Sequence, residues 1–461
     1  MALSDIETIV VVMLENRSFD HMLGYLSLPS TPQPMAVEGL NDDPQWLEDR
    51  ENVYGGNEYA CFPLDPNTQT ISDPQHDHTS IAEQINTASA KGAVPKMGGF
   101  VASYATYSNP TPPDPSLVMG YYDQRGVPIF DFFAHNFAVC DHWFASLPLG
   151  TQANRLMAMS GQSQILDNAG VFLPDQELVY DWLDQHGVSW CAYQSGDYFP
   201  FFSLMPKWLP EIMASLAEDA IDLHPHFRRY STFARDWQTG RTPSVIFIEP
   251  EYTDGPHSKP NDDHSPTGVA PGQAFLADIY GALISNPERW AKTMMVVTYD
   301  EHGGFFDHVP PLAIPAQVAG QAIPTTGVRV PALIISPQVE PGSVVRGELD
   351  HTSILQLLVD KFAPTEGYSI DVDARQAMLQ RLKDLPLSLQ DPPPSPSINP
   401  AVVQSIQALG AAAAVAPNRG DAAGDPANTQ AMHMVAVQAA QDHPEQMAKP
   451  GWQALSDHLR N

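Results

Sequence analysis

Cysteine is scarce: Cys61, Cys140 and Cys191 are scattered through 461 residues without CxxC spacing. That argues against a disulfide framework and against a thiolate zinc site. Positive charge is scarce as well, with 23 Lys and Arg against 54 Asp and Glu and a net charge of −31. A chain so acidic repels phosphate backbones and anionic bilayers, so no nucleic-acid partner is expected. No apolar run reaches the ~20 residues that cross a bilayer, and no transmembrane segment is expected. The start, Met1-Ala2-Leu3-Ser4-Asp5, has neither a basic leader nor a cleavable apolar stretch, from which a cytoplasmic location is expected. There is no internal repeat.

What is present is an alternation. Strand-like runs at Ile9–Leu14, Val188–Tyr193, Ser244–Glu249, Met294–Tyr299 and Val330–Ser336 alternate with helical patterns near 179–186, 271–284 and 353–362. Such alternation predicts an α/β fold with a mainly parallel central sheet and helices on both faces. Residues 27–75 are rich in Pro, Asn and Asp and read as a long surface excursion of the kind that roofs active sites. The run Asp391-Pro392-Pro393-Pro394-Ser395-Pro396 reads as an extended linker. It separates a main domain, 1–390, from a small helical appendage, 391–461. In the appendage Val402, Val403, Ile406 and Leu409 share one helical face, and Trp452, Leu455 and Leu459 another. These apolar helices either cover the core or make transient contact with a lipid surface.

Two of the apolar runs deliver chemistry at their carboxyl ends, where open α/β sheets collect their ligands. Ile9–Leu14 leads into Glu15-Asn16-Arg17-Ser18-Phe19-Asp20-His21, and Met294–Tyr299 into Asp300-Glu301-His302-Gly303-Gly304. Buried carboxylates gathered in one place stay charged only beside a cation, so a metal site is the first inference. A third element, Ser146 to Leu156, has Pro148 and Gly150 in a tight turn before a helix expected to begin near Asn154. The Thr151 hydroxyl there lies by helix N-terminal amides that favour anions, which makes it a candidate nucleophile toward phosphorus. Read alone, the same turn is an ordinary helix cap. Acid-flanked histidines complete the set: His76-Asp77-His78, Asp262-Asp263-His264, Asp307-His308 and Asp350-His351. Each taken singly reads as a solvated loop residue or, for His351, as part of a helix cap; together they are candidates for phosphate clamps and general acids.

At these residues the chain resembles the bacterial phosphoesterase family of phosphatidylcholine-type phospholipases C and acid phosphatases. The resemblance spans roughly residues 5–365. It implies an alkaline-phosphatase-like three-layer α/β/α core, a Ser or Thr nucleophile that coordinates metal, and a covalent phospho-enzyme. By motif, Glu15, Asn16, Thr151, Asp300 and Glu301 would hold the metal. Thr151 would attack, His78 and His264 would contact the phosphoryl oxygens or leaving group, and Asn16 and His308 would bind substrate. The chain departs from family lipases in having Gln152-Ala153 where they tend to have Trp-Pro, and from the phosphatases in having Thr151 where they tend to have Ser; the latter favours the phospholipase branch. The oxygen donors suit calcium, magnesium or manganese ahead of zinc. Trp143, Trp190 and Tyr193 are candidates to cage a choline ammonium. Rival readings are an acid phosphatase acting on monoesters and an inert phosphate- or lipid-binding protein. A sulfatase is disfavoured because no Cys/Ser-x-Pro-x-Arg signature stands near Thr151.

Overall fold

The computed structural model describes residues 3–108, 111–168, 172–215, 226–385, 395–413 and 426–459. Eight strands form one sheet: β1 (Thr8–Leu14), β2 (Ala138–Cys140), β3 (Trp190–Gln194), β4 (Phe227–Arg229), β5 (Val245–Glu249), β6 (Thr293–Tyr299), β7 (Ala332–Ile335) and β8 (Ser343–Val345). Their spatial order is β8-β2-β7-β6-β1-β5-β3-β4. Only β7 runs against its neighbours; the remaining pairs are parallel. β1 and β6 lie at the centre and every residue in both is buried, which explains why they read as unbroken apolar runs instead of alternating ones.

Helices cover both faces. Val11, Met13 and Phe247 line one internal cavity together with Ala158 of α3 (Thr151–Ser160) and Ile354 of α5 (Thr352–Phe362). On the opposite face Tyr299 lies 6.1 Å from the Phe130 ring of α2 (Pro128–Asn136), beside α4 (Ala270–Ile284). The α/β class with a mainly parallel sheet is thus the one expected. Residues 27–75 are less bare than expected: they hold the short helix Pro44–Asp49 and the strand pair Asn52–Tyr54 and Asn57–Tyr59.

The described C-terminal helices pack on this core. α6 (Pro400–Ala413) lies along α4 and α2 with Ile406 and Leu409 buried. Val403, expected on the same face, turns outward and is 38% exposed. α7 (Pro426–Asp442) meets the Phe201–Leu204 turn. In α8 (Pro450–Leu459) Trp452 is fully buried, with its ring 4.9 Å from Phe199 and the Arg229 guanidinium 4.7 Å above it. Of the two roles open to these helices, covering the core is what their described residues do. Residues 391–394 of the expected linker lie outside the described residues.

Candidate active site

The register places the acids. Leu14 pairs with Tyr299, so Glu15 and Asp300 leave the sheet side by side. The Asp300 N–H donates to Leu14 O at 3.2 Å, the Asn16 N–H to Asp300 Oδ1 at 3.2 Å and the Arg17 N–H to Glu301 O at 3.1 Å. Asn16 holds φ at +65°, a left-handed conformation that asparagine tolerates better than most residues. Gly303 is required by close approach: its φ is +63°, and a Cβ there would stand 2.2 Å from Asn16 O.

Thr151 opens α3 at its first turn, three residues ahead of the expected start at Asn154. Asn154 instead staples the preceding turn from inside the helix. Its Nδ2 donates to Leu147 O at 3.1 Å and to Leu149 O at 2.7 Å, while its Oδ1 accepts from the Leu147 N–H at 2.9 Å. Asp350 adds a second fastening, accepting from Ser146 Oγ at 3.0 Å and pairing with Arg375, which also donates to Ser146 O at 2.7 Å. So held, the buried Thr151 hydroxyl lies 3.4 Å from Asn16 Oδ1. Glu15, Asn16, Thr151, Asp300 and Glu301 are all fully buried. Thr151 meets Asn16, the Asn16 N–H meets Asp300, and Glu301 Oε1 lies 4.0 Å from His76 Nε2, but Glu15, Asp300 and Glu301 do not form one tight ligand cluster among the described residues.

Arg155, one turn along α3 from Thr151, supplies much of the charge balance. Its Nε lies 3.2 Å from Asp300 Oδ2 and its Nη2 3.3 Å from Glu15 Oε1. Nη1 donates to Tyr252 OH at 3.1 Å, with Phe201 and Tyr252 each 5.0 Å from the guanidinium. Burial, joined by Glu15 and Glu301, still outweighs Arg155 and pushes Asp300 up to about 8. His351 acts from behind. Trp143 Nε1–H donates to its Nδ1 at 3.2 Å, so its Nε2–H donates to Asp300 O at 2.6 Å. Burial drives His351 down to about 4, which keeps the ring neutral.

His264 joins the cluster, with Nδ1 3.1 Å from Glu15 Oε2 and Nε2 3.3 Å from Asp73 Oδ2. His76, not His78, is the histidine that residues 76–78 contribute: Nδ1 donates to Pro74 O at 2.8 Å and Nε2 faces Asn16 Nδ2 at 3.1 Å. Asp77 caps the helix α1 (His78–Asn86), so His78 turns onto that helix, half-buried on the wall of a neighbouring cavity. His308 is not brought to the site. It sits in a separate buried network, 2.7 Å from Asp20 Oδ2, where Arg329 also binds Asp20 and Asp307. Nor do the three aromatics form a cage. Trp143 serves His351, Trp190 stacks on Tyr180 at 4.2 Å and Tyr193 donates to Asp236 at 3.1 Å, all within the core.

The residues present fit a divalent cation. Glu301 Oε1 is buried with no hydrogen-bond partner among the described residues, and a buried carboxylate oxygen of that kind requires compensation. Ligand atoms of Asp73, His76 and His264, and of Glu15, Asp262 and His264, lie within 4.8 Å of one another. The donor set is therefore mixed. Two imidazoles beside the oxygens weaken the expected preference for calcium, magnesium or manganese over zinc.

The Phosphoesterase family model matches residues 6–363. The chain belongs to that family. Non-specific phospholipase C1 of Arabidopsis thaliana is 32% identical over 372 residues, covering 76% of this chain; the chain spans 65% of that relative's length. Non-specific phospholipase C6 of the same plant is 30% identical over 428 residues, 86% of this chain and 77% of the relative. Phospholipase C A of Mycobacterium tuberculosis is 30% identical over 406 residues, 78% and 73% respectively. Membership sorts the chain with phosphoric ester hydrolases, the enzyme class expected from its motifs. A solved alkaline phosphatase superfamily protein from Vibrio parahaemolyticus covers 68% of this chain and 75% of its own at 13% identity and a TM-score of 0.32, a fit too loose to argue from.

Proposed function

We propose that this protein is a divalent-cation-dependent phospholipase C that releases diacylglycerol from phosphatidylcholine-type lipids through a phospho-threonine intermediate. The observation that carries the reading is the Thr151 hydroxyl, 3.4 Å from the Asn16 amide at the junction of Glu15, Asp300 and Glu301. Its support in descent is the run of phospholipase C relatives at about 30% identity.

Glu15, Asn16, Asp300 and Glu301 would hold the cation, with Thr151 as a further ligand. Bound there, it supplies positive charge that eases ionisation of the hydroxyl and offsets charge on the phosphoryl oxygens. Thr151 Oγ1 forms a bond to phosphorus as the phosphorus–glycerol oxygen bond breaks, and its own proton passes to water. His264 gives the leaving alkoxide a proton. Glu15 Oε2 and Asp73 Oδ2, 3.1 Å and 3.3 Å from its two ring nitrogens, fix the ring for that transfer. The Asn16 amide and the first amides of α3 bind the phosphoryl oxygens. Water then attacks phosphorus and gives a proton to the His264 ring that the first step deprotonated, the Oγ1–phosphorus bond breaks as Oγ1 takes a proton back, and the phosphorylated headgroup departs.

Thr151→Ala should abolish turnover of a phosphocholine diester while leaving the unfolding transition in place. Acid-quenched wild type should carry the headgroup phosphate on Thr151. Near-full activity in the variant refutes the mechanism, and a clear preference for phosphomonoesters moves the chain to the phosphatase reading.

A further inference from the structure

A cavity of about 290 Å³, at the small end of ligand pockets, lies beside the nucleophile turn. His78, Ala82, Lys96, Pro148, Ile323 and Thr325 are among its walls. Its position follows from three contacts. Pro148 stands three residues before Thr151. His76 O lies 3.3 Å from where a Cβ on Gly150 would be. The His78 N–H donates to Asp167 Oδ1 at 3.3 Å and the Gln152 N–H to Asn168 Oδ1 at 3.1 Å, so one loop ties the cavity wall to the first turn of α3.

The lining is chemically selective. Among the described residues no carboxylate and no Phe, Tyr or Trp lines it, although the chain carries 54 acids. An ammonium headgroup would find no counter-charge there, a lysine instead, and none of the large rings that cage such a group. What the walls offer is apolar surface from Ala82, Pro148 and Ile323 with N–H and O–H groups on Lys96, Thr325, Asn86 and His78. His78 Nδ1 is buried with no hydrogen-bond partner among the described residues. Ester carbonyls accept hydrogen bonds from such donors, and methylenes pack on such walls.

Resting on the phospholipase reading, we propose that this cavity receives the acylglycerol side of the diester, its ester carbonyls and first methylenes, and that the headgroup lies elsewhere. Ala82→Phe on α1 and Thr325→Phe on the facing wall each fill it from a different element. The full-length variants are compared with wild type on a short-chain phosphatidylcholine below its micellar concentration and on p-nitrophenyl phosphocholine, which has no acylglycerol. The ratio of kcat/KM for lipid over small diester should fall at least about tenfold in both, mostly through KM. Calorimetric binding of dihexanoylglycerol should weaken by a similar factor, a readout independent of turnover. A ratio within about twofold of wild type in both folded variants overturns the assignment, as does a changed choline-to-ethanolamine preference. If wild type cleaves neither diester, the phospholipase reading falls; dihexanoylglycerol binding lost in the variants would still uphold the cavity's role, and its absence in wild type would overturn that too.

Discussion

Glu301→Gln offers the sharpest test of the site, because the stability it gains in chelator should shrink or reverse when cation is added. Without cation, Glu15, Asp300 and Glu301 are buried beside Arg155, which pairs with only the first two. At a pH above about 8, where Asp300 is ionised, neutralising Glu301 removes a like charge whose repulsion of its neighbours, at an effective dielectric near 20 and a few ångströms, is worth about 2–4 kcal/mol. It also weakens the Gly303 N–H bond to Glu301 Oε2, 2.8 Å long, at a cost of about 1 kcal/mol. The variant should therefore be about 1–3 kcal/mol more stable than wild type in chelator. With cation at about a hundred times Kd, wild type gains about 2.7 kcal/mol. The variant loses a ligand, binds ~10–100 times more weakly, and should gain only about 0.4–1.4 kcal/mol at that concentration. Denaturant unfolding with chelator and with saturating cation measures all four values. A variant that is less stable in chelator and gains as much from cation as wild type would refute the assignment of Glu301 Oε1 to the ion.

The pH dependence of cation-free protein follows from Asp300, raised from 3.8 to about 8 mainly by burial. The folded state binds the extra proton, so stability should fall as pH rises from about 4 to about 8, and saturating cation should flatten that slope; a rise over this window in chelator contradicts it. Asp20→Asn breaks the buried pairing with His308 and Arg329 and should cost about 3–5 kcal/mol. His308 is raised to about 9 against its burial, chiefly by Asp20, so its contribution to stability is full below 6.5 and lost by about 9; in the variant an NMR titration should find it lower. Trp452→Ala should cost about 3–5 kcal/mol without changing cation affinity, as read by denaturation and calorimetry, since Trp452 is fully buried against Phe199 and Arg229.

The strands were legible because β1 and β6 are buried on both faces and so appear as unbroken apolar runs, with the acids following where each run stops. The helix boundary at Thr151 was less so. Asn154 looks like a cap, yet it works from inside the helix, folding its amide back onto the carbonyls of the turn. The choice between His76 and His78 could have been made: Asp77 is a good N-cap residue, and a capped helix starting at 78 carries His78 away with it. Asp73 had no comparable signal, since only the fold brings it to within 3.3 Å of His264.

Three buried acids in one place demand positive charge, and part of it is already built in: Arg155 serves Glu15 and Asp300. Arg155 leaves Glu301 unserved: its Oε1 has no hydrogen bond among the described residues, with only His76 Nε2 4.0 Å away, while burial and acidic neighbours hold Asp300 near 8. An ion there would meet less charge, at a more specific place, than three bare acids imply. That place also explains why Arg155 sits between Phe201 and Tyr252: a guanidinium stacked against rings is dry and fixed, so it cannot swing toward Glu301 and fill the cation's position itself.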